Sequence, residues 1–155
     1  MRQRWDGGKD PWQLEGLLVK YKPIVARYIS DHKLVQRARK EGWLSNRDCY
    51  KLKIAWKYGS SSTAFVSRVG EGCIHISRWL EGTELLTFTL CHELVHIMLV
   101  VDERVNAISS MTENQQEYEQ QPHEQMADEV AYAITGVSRK EYNAYAIEHG
   151  YQEAQ

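Results

Sequence analysis

The chain is organised around Leu90-Cys91-His92-Glu93-Leu94-Val95-His96, whose flanks are strongly apolar. Such flanks predict a buried helix, and in a helix the side chains of His92 and His96 lie one turn apart on one face. Two neutral imidazoles at this spacing can bind one zinc ion, and Glu93 can then accept a proton from a metal-bound water. A charged Glu93 in apolar surroundings needs a partner. The stretch therefore predicts a catalytic zinc site with Glu93 as general base.

The size and the element pattern predict one α+β domain. With 155 residues, of which 43% are hydrophobic, the chain can close a single core, so we expect one domain over 1–155. Its expected parts, in chain order, are a helical N-terminal part (1–45), an antiparallel sheet (50–78), the metal helix (83–101), a loop or lid (102–121) and C-terminal helices (122–150).

Charge is distributed unevenly along the chain. Residues 1–57 carry fourteen Lys and Arg against six Asp and Glu, whereas residues 58–155 carry five against fifteen. A basic first third can contact nucleic acid or an acidic protein, although a solvated face is the commoner reason for such a bias. A nucleic-acid partner therefore enters as an alternative.

The cysteines and the apolar segments bear on the compartment. Three widely spaced cysteines without a CxxC pair, and an N-terminus without an apolar signal core, predict a protein of the reducing cytoplasm. The apolar run Leu85–Val101 is interrupted by ionisable residues and lies at the lower length limit for a membrane span. We therefore expect a buried central helix and no membrane contact.

The N-terminal part is predicted to be helical. Asp10-Pro11-Trp12-Gln13 resembles a capped helix start, and the following apolar residues recur at helical spacing. Pro23 removes a backbone donor, so this segment is either kinked or split into two helices. A further helix is expected over Asp31–Lys40, with Gly42 as its stop signal.

The next segment changes to a period of two. Apolar Leu52, Ile54, Trp56 and Tyr58 alternate with mostly charged residues, which predicts a strand with one buried face. Further strands are expected over Thr63–Val69 and Cys73–Arg78, joined by glycine turns into an antiparallel meander. Three lysines on the first strand are explained by edge protection.

The helices at and after the centre carry start and stop signals. Thr83 is a plausible cap for the central helix. Pro122 is placed to start a helix that runs to Gly136, and Ser138–Glu141 forms a capping box for a last helix ending near Gly150.

Two histidines leave one zinc ligand to find, because a catalytic zinc takes three protein ligands and keeps an open position. Asp102 lies where HExxHxxGxxH proteins have their last ligand, but Leu99 replaces the glycine that this pattern needs. His123 and Glu124 both begin the helix after the acidic segment. Glu124 is preferred because Asp128 shares its helical face and can accept the outer proton of a ligand histidine.

HExxH followed by ExxxD resembles the gluzincin peptidases, and its form here resembles the ImmA/IrrE family of small zinc peptidases. Glu124, Ala127, Asp128 and Ala131 match that family's Glu-x-x-Ala-Asn/Asp-x-x-Ala pattern. The resemblance covers about residues 62–135 and implies a zincin-like fold, a three-stranded sheet before the metal helix, and Glu124 as third ligand. Three departures bear on the substrate class: Met126 replaces a commonly acidic residue, Val130 a favoured Phe, and Tyr132–Gly136 the usual ending.

The residues and the resemblance together predict a zinc peptidase. His92, His96 and Glu124 hold Zn²⁺, Glu93 transfers the proton to the leaving amine, and Asp128 orients a ligand. The donor to the developing oxyanion is open among three residues, namely Tyr118, His123 and Tyr132. By resemblance, Cys73–Arg78 is expected to pair with an extended substrate by strand addition.

The expected partner is a protein, which in the resembled family is typically a helix-turn-helix transcriptional regulator. One alternative is a nucleic-acid-associated module with a basic N-terminal third and a structural zinc site. Another is a SprT-like, DNA-associated protease, in which a histidine would be the third ligand. A third is a toxin-like or phage-encoded protease that inactivates a host target.

Overall fold

A computed structural model describes residues 13–44, 49–59, 61–67, 69–100 and 121–148. These residues form five α-helices and one three-stranded mixed sheet, so the α+β class is confirmed. The helices are α1 (Gln13–Asp31), α2 (Leu34–Glu41), α3 (Leu85–Met98), α4 (Pro122–Thr135) and α5 (Arg139–Glu148). The strands are β1 (Lys51–Lys57), β2 (Thr63–Val66) and β3 (Glu71–Ser77). Asp10–Trp12 and the segment 101–120, which includes the predicted loop or lid (102–121) except Gln121, lie outside the described residues.

The sheet is mixed, and the predicted antiparallel meander is wrong. Its strand order is β1-β3-β2, with β1 parallel and β2 antiparallel to β3. The most apolar strand therefore takes the centre, where Ile74 and Ile76 are fully buried. The lysine-bearing β1 lies at an edge, as edge protection predicts. Tyr58, expected on the buried face, lies beyond β1 and is exposed.

The central position of β3 also removes its proposed role in substrate binding. One edge is paired along the whole strand, from Lys51↔Glu71 to Lys57↔Ser77, and the other is paired with β2 from Gly72 to His75. A substrate strand would need unpaired backbone N–H and C=O groups. Strand addition to Cys73–Arg78 is therefore wrong for this fold.

Helix α3 lies at the centre of the core, as predicted. Eleven of its fourteen residues are buried. It packs against α4, α1 and the sheet. Gly72 allows a close approach of β3, because a Cβ there would lie 2.7 Å from Cys49 Sγ and 3.4 Å from Ile97 Cδ1. The described part of the chain contains no helix with both the length and the apolar character needed to cross a membrane.

The helix ends mostly follow the predicted signals. Helix α1 runs through Pro23 as one helix, and α4 ends at Gly136 in the left-handed region, with φ of 76°. The second helix begins at Leu34 rather than Asp31, because Lys33 has a positive φ of 53° that breaks the helix before it. Thr83 does not cap α3. Its hydroxyl donates backwards to the carbonyl of Leu80, at 2.8 Å.

Candidate metal centre

The two histidines of α3 meet as their spacing predicts. Their ring centroids are 4.7 Å apart with an interplanar angle of 74°, and the two Nε2 atoms are 3.1 Å apart. Eight apolar residues of this helix are buried, which fixes its position in the core and so the direction from which His92 and His96 project. Both lone-pair-bearing edges are therefore directed at one small volume.

The third group comes from the first turn of α4. The Glu124 carboxylate reaches both imidazoles: Oε2 lies 3.1 Å from Nε2 of His92, and Oε1 lies 3.1 Å from Nε2 of His96. Tetrahedral ligands about 2.0–2.1 Å from a zinc ion are about 3.3–3.4 Å from one another, close to these separations. His92, His96 and Glu124 thus lie close enough together to hold a metal ion.

Burial differs among the three side chains. The exposed fraction is 7% for His92, 5% for Glu124 and 15% for His96. The site is therefore reached from solvent mainly on the His96 side. A position opposite the three ligand atoms and facing this side is where a fourth, exchangeable ligand could bind.

The ionisation of the site follows from these contacts. Burial disfavours the imidazolium of His92, but hydrogen bonds to Asp128 and Glu124 outweigh this and raise the pKa of His92 to about 10. Burial likewise opposes the Glu124 carboxylate, yet the neighbouring His96 and His92 hold the pKa of Glu124 well below its ordinary range. A metal ion requires neutral imidazoles, so its binding displaces the proton held on His92.

Asp128 lies where a residue that orients a ligand should lie. Its Oδ1 is 2.7 Å from Nδ1 of His92, which leaves Nε2 of that ring directed at Glu124 and His96. Arg139, the first residue of α5, donates to both Asp128 oxygens, from Nε to Oδ2 at 3.1 Å and from Nη2 to Oδ1 at 2.9 Å. Burial favours the neutral form of Asp128, but the contacts with His92 and Arg139 lower its pKa.

Glu93 is buried beside the ligand pair. Its carboxylate lies near enough to His92 to contribute to that residue's raised pKa. It also influences Tyr142 of α5, whose pKa is raised by burial, lowered by Arg139 and raised by Glu93. Glu93 is therefore within electrostatic range of both His92 and Tyr142.

His123 lies next to Glu124 at the rim of the cluster. Its Nε2 is 3.8 Å from Glu124 Oε1, and its ring centroid is 6.1 Å from those of both His96 and Trp43. Burial lowers the pKa of His123, so its ring is neutral at pH 7. Its Nδ1 is buried and has no hydrogen-bond partner among the described residues. His123 is close to the metal ligands without joining them.

Among the remaining candidates, Tyr132 is separated from this cluster. Tyr132 is 56% exposed and lies eight residues after Glu124, about 12 Å further along the axis of α4. Asp102 and Tyr118 lie outside the described residues. The sequence analysis did not identify Arg139 as a site residue. The signal that could have done so is its place at a helix N-terminus, where the helix dipole disfavours a cation unless another interaction compensates.

Comparisons of the chain with protein-family models, with curated proteins and with solved structures found no match. The chemistry of the site therefore rests on its geometry.

Proposed function

We propose that this protein is a zinc-dependent peptidase with a zincin-like, ImmA/IrrE-like arrangement. The observation that supports this most directly is the meeting of His92, His96 and Glu124 at separations of 3.1 Å. Two imidazoles and one carboxylate with an accessible side form the ligand set of a catalytic rather than a structural zinc site. The identity of the metal as zinc is part of the proposal.

The catalytic roles divide between α3 and α4. His92, His96 and Glu124 would hold the zinc ion, which would supply Lewis acidity towards a peptide carbonyl and a water molecule. Glu93 accepts a proton from the attacking water as the C–O bond forms, and then passes this proton to the leaving amine as the C–N bond breaks. Asp128 holds the ring of His92 in the tautomer that presents Nε2 to the site.

The oxyanion of the tetrahedral intermediate needs a donor besides the metal. His123 is the better placed of the two described candidates, because it lies beside Glu124 whereas Tyr132 is two turns away. Its neutral ring carries one N–H that can donate. The substrate is proposed to be a protein partner such as a transcriptional regulator, in the cytoplasm.

The proposal is tested by replacing Glu93 with Gln, which preserves shape but removes the base. Metal analysis should find about one zinc per chain in the parent and in Glu93→Gln, because Glu93 is not a ligand. Hydrolysis of a fluorescence-quenched peptide library should fall by about 10³-fold or more in Glu93→Gln, in line with general-base catalysis of up to about 10⁴-fold.

Glu84→Gln provides the matched control, since Glu84 is an exposed glutamate at the other end of the same helix. It should retain both zinc and hydrolysis. A Glu93→Gln variant as active as the parent would remove Glu93 from the mechanism. A zinc-loaded parent that cleaves no peptide in the library would reduce the proposal to a metal-binding site.

A nucleic-acid-associated module is the second candidate function. The observation in its favour is that Lys51 and Lys53 are exposed and Lys57 is half-buried at positions of the edge strand β1 that share one face. Contacts between such lysines and phosphates would make binding fall steeply with salt. Titration of labelled single-stranded DNA and RNA at 50 and 200 mM salt decides this, and absence of binding at 50 mM rejects it.

A further inference from the structure

A chain of three side chains connects the last helix to the candidate metal centre. The Arg139 guanidinium donates two hydrogen bonds to the Asp128 carboxylate, of 2.9 and 3.1 Å. The Asp128 oxygen that accepts from Arg139 Nη2 is also the one 2.7 Å from His92 Nδ1. Each helix of the α3, α4 and α5 set contributes one member of this chain.

The guanidinium is itself held in place. Its Cζ lies 5.1 Å from the Phe88 ring centroid and 4.7 Å from that of Tyr142. Phe88 precedes His92 by one turn on α3, and the two rings are 6.3 Å apart. Aromatic faces attract a cation most where water is partly excluded, and the Arg139 side chain is only 23% exposed. These contacts restrict the conformations of the Arg139 side chain.

The two hydrogen bonds from Arg139 to Asp128, a bidentate fork, also restrict the orientation of the His92 ring. A carboxylate held by one hydrogen bond can rotate about χ2, whereas one held at both oxygens keeps its plane and the direction of its lone pairs. Oδ1 then remains on Nδ1 of His92, and Nε2 remains directed at Glu124. Rigid orientation of the ligand lowers the entropic cost of binding an ion.

Charge balance leads to the same assignment. Glu93, Glu124 and Asp128 bring three carboxylates into one largely buried region. A divalent cation neutralises two of these charges, and Arg139 supplies the third positive charge. Buried charges are costly unless paired, so removal of Arg139 leaves an excess negative charge beside the ligands.

We propose that Arg139 is a positioning residue that sets the affinity of the metal site by fixing Asp128, and through it His92. It does not contact the ion. This inference rests on the proposed metal site and goes beyond it, since it assigns to α5 a role in loading the ion.

The test measures the zinc dissociation constant of the full chain by competition with a chromogenic chelator. Arg139→Gln should bind zinc about 10–100-fold more weakly, the usual cost of losing a group that orients a ligand. Arg139→Lys keeps the charge but not the fork, so its affinity should lie between those of Arg139→Gln and the parent. Arg37→Gln is the matched control, because Arg37 makes an equivalent exposed pair with Glu129, the residue after Asp128, and should bind zinc like the parent.

Two further measurements distinguish positioning from a general loss of structure. In the Asp128→Asn background, Arg139→Gln should cause no further loss of zinc affinity, because Arg139 acts through Asp128. The visible spectrum of the cobalt-loaded protein should change in Arg139→Gln and not in Arg37→Gln. If Arg139→Gln folds poorly by circular dichroism, Arg139→Lys carries the test.

Parent-like zinc affinity in Arg139→Gln or in Arg139→Lys would overturn the proposal. It would also be overturned if the fold-loss of zinc affinity in the double variant equalled the product of the fold-losses in Asp128→Asn and Arg139→Gln. A parent that binds no zinc would instead overturn the metal site itself.

Discussion

Two arginine–carboxylate pairs start from consecutive residues of α4 and lie in contrasting surroundings. Glu129 receives two hydrogen bonds from Arg37 of α2, of 2.5 and 3.3 Å, much as Asp128 receives two from Arg139. The exposed fractions are 44% and 43% for Glu129 and Arg37, but 16% and 23% for Asp128 and Arg139. The less exposed pair continues to His92, whose Nδ1 lies 2.7 Å from Asp128 Oδ1. Similar bond geometry thus has different consequences, set by burial and by what the carboxylate contacts next.

The largest expected difference between the two sides of α4 concerns metal binding. Glu124→Ala removes one of three ligands and should weaken zinc affinity by more than about 100-fold, beyond the cost of losing an outer group. Glu129→Ala, on the opposite side, should leave zinc affinity unchanged. Equilibrium dialysis with metal analysis measures both. Full zinc occupancy in Glu124→Ala would return the third-ligand role to His123 or Asp102.

The next largest difference should appear in the pH dependence of stability of the metal-free protein. The pKa of His92 is raised from 6.5 to about 10, so its contribution is fully present below pH 6.5 and is lost as pH rises towards 10. Glu124 has a lowered pKa, so its contribution is present above about 4.5 and is lost in acid. The free energy of unfolding should therefore be greatest between about pH 4.5 and 6.5 for this pair.

Urea unfolding at a series of pH values with a metal chelator present measures that profile. Arg37→Gln should keep the decline between pH 6.5 and 10, whereas His92→Asn, which cannot titrate, should flatten it. Saturating zinc should reduce the same decline, because the bound imidazole is already neutral. An identical slope in the parent and in His92→Asn would contradict the assignment of this titration to His92.

Breaking the less exposed pair should also cost stability. Asp128→Asn leaves Arg139 and His92 without the charge they contact, and we expect a loss of about 2–3 kcal/mol, below the cost for a fully buried pair because both side chains retain some exposure. Chemical denaturation of the metal-free protein measures it. A loss under about 0.5 kcal/mol would place this pair with ordinary surface pairs.

The smallest effect is expected for the exposed pair. Arg37→Gln should lower the free energy of unfolding by at most about 1 kcal/mol, and the difference from the parent should shrink further in 0.5 M NaCl as screening increases. Thermal unfolding at two salt concentrations is sufficient. A larger loss, insensitive to salt, would show that the contrast between the two pairs is overstated.

Features fixed by helical periodicity were the most predictable from sequence. The spacing of His92 from His96, and of Glu124 from Asp128, determines shared faces without knowledge of the fold. The buried α3 followed from its apolar composition. The contact between α3 and α4 was the one long-range feature of the site that had to be predicted. It followed from the requirement of a catalytic zinc for a third protein ligand.

Features that depend on which elements become neighbours were less predictable. Glycine turns between three strands fit a meander, but the order β1-β3-β2 is decided by burial of the apolar β3 between two partners. Arg139 contacts Asp128 only because the chain after α4 returns the first residue of α5 to that carboxylate, which no local pattern encodes. Threonine is a common N-cap residue, yet the Thr83 hydroxyl donates to the carbonyl of Leu80 instead of capping α3.

The short link between α4 and α5 consists of Gly136, Val137 and Ser138, with Gly136 in a conformation that L side chains rarely adopt. Arg139 follows Asp128 by eleven positions in the sequence. The length of this link therefore decides whether the two side chains are close enough to form hydrogen bonds. The link thus acts as a spacer. Insertion of a single residue would rotate the start of the last helix and separate the arginine from its carboxylate, while His92, His96 and Glu124 would all remain in the sequence.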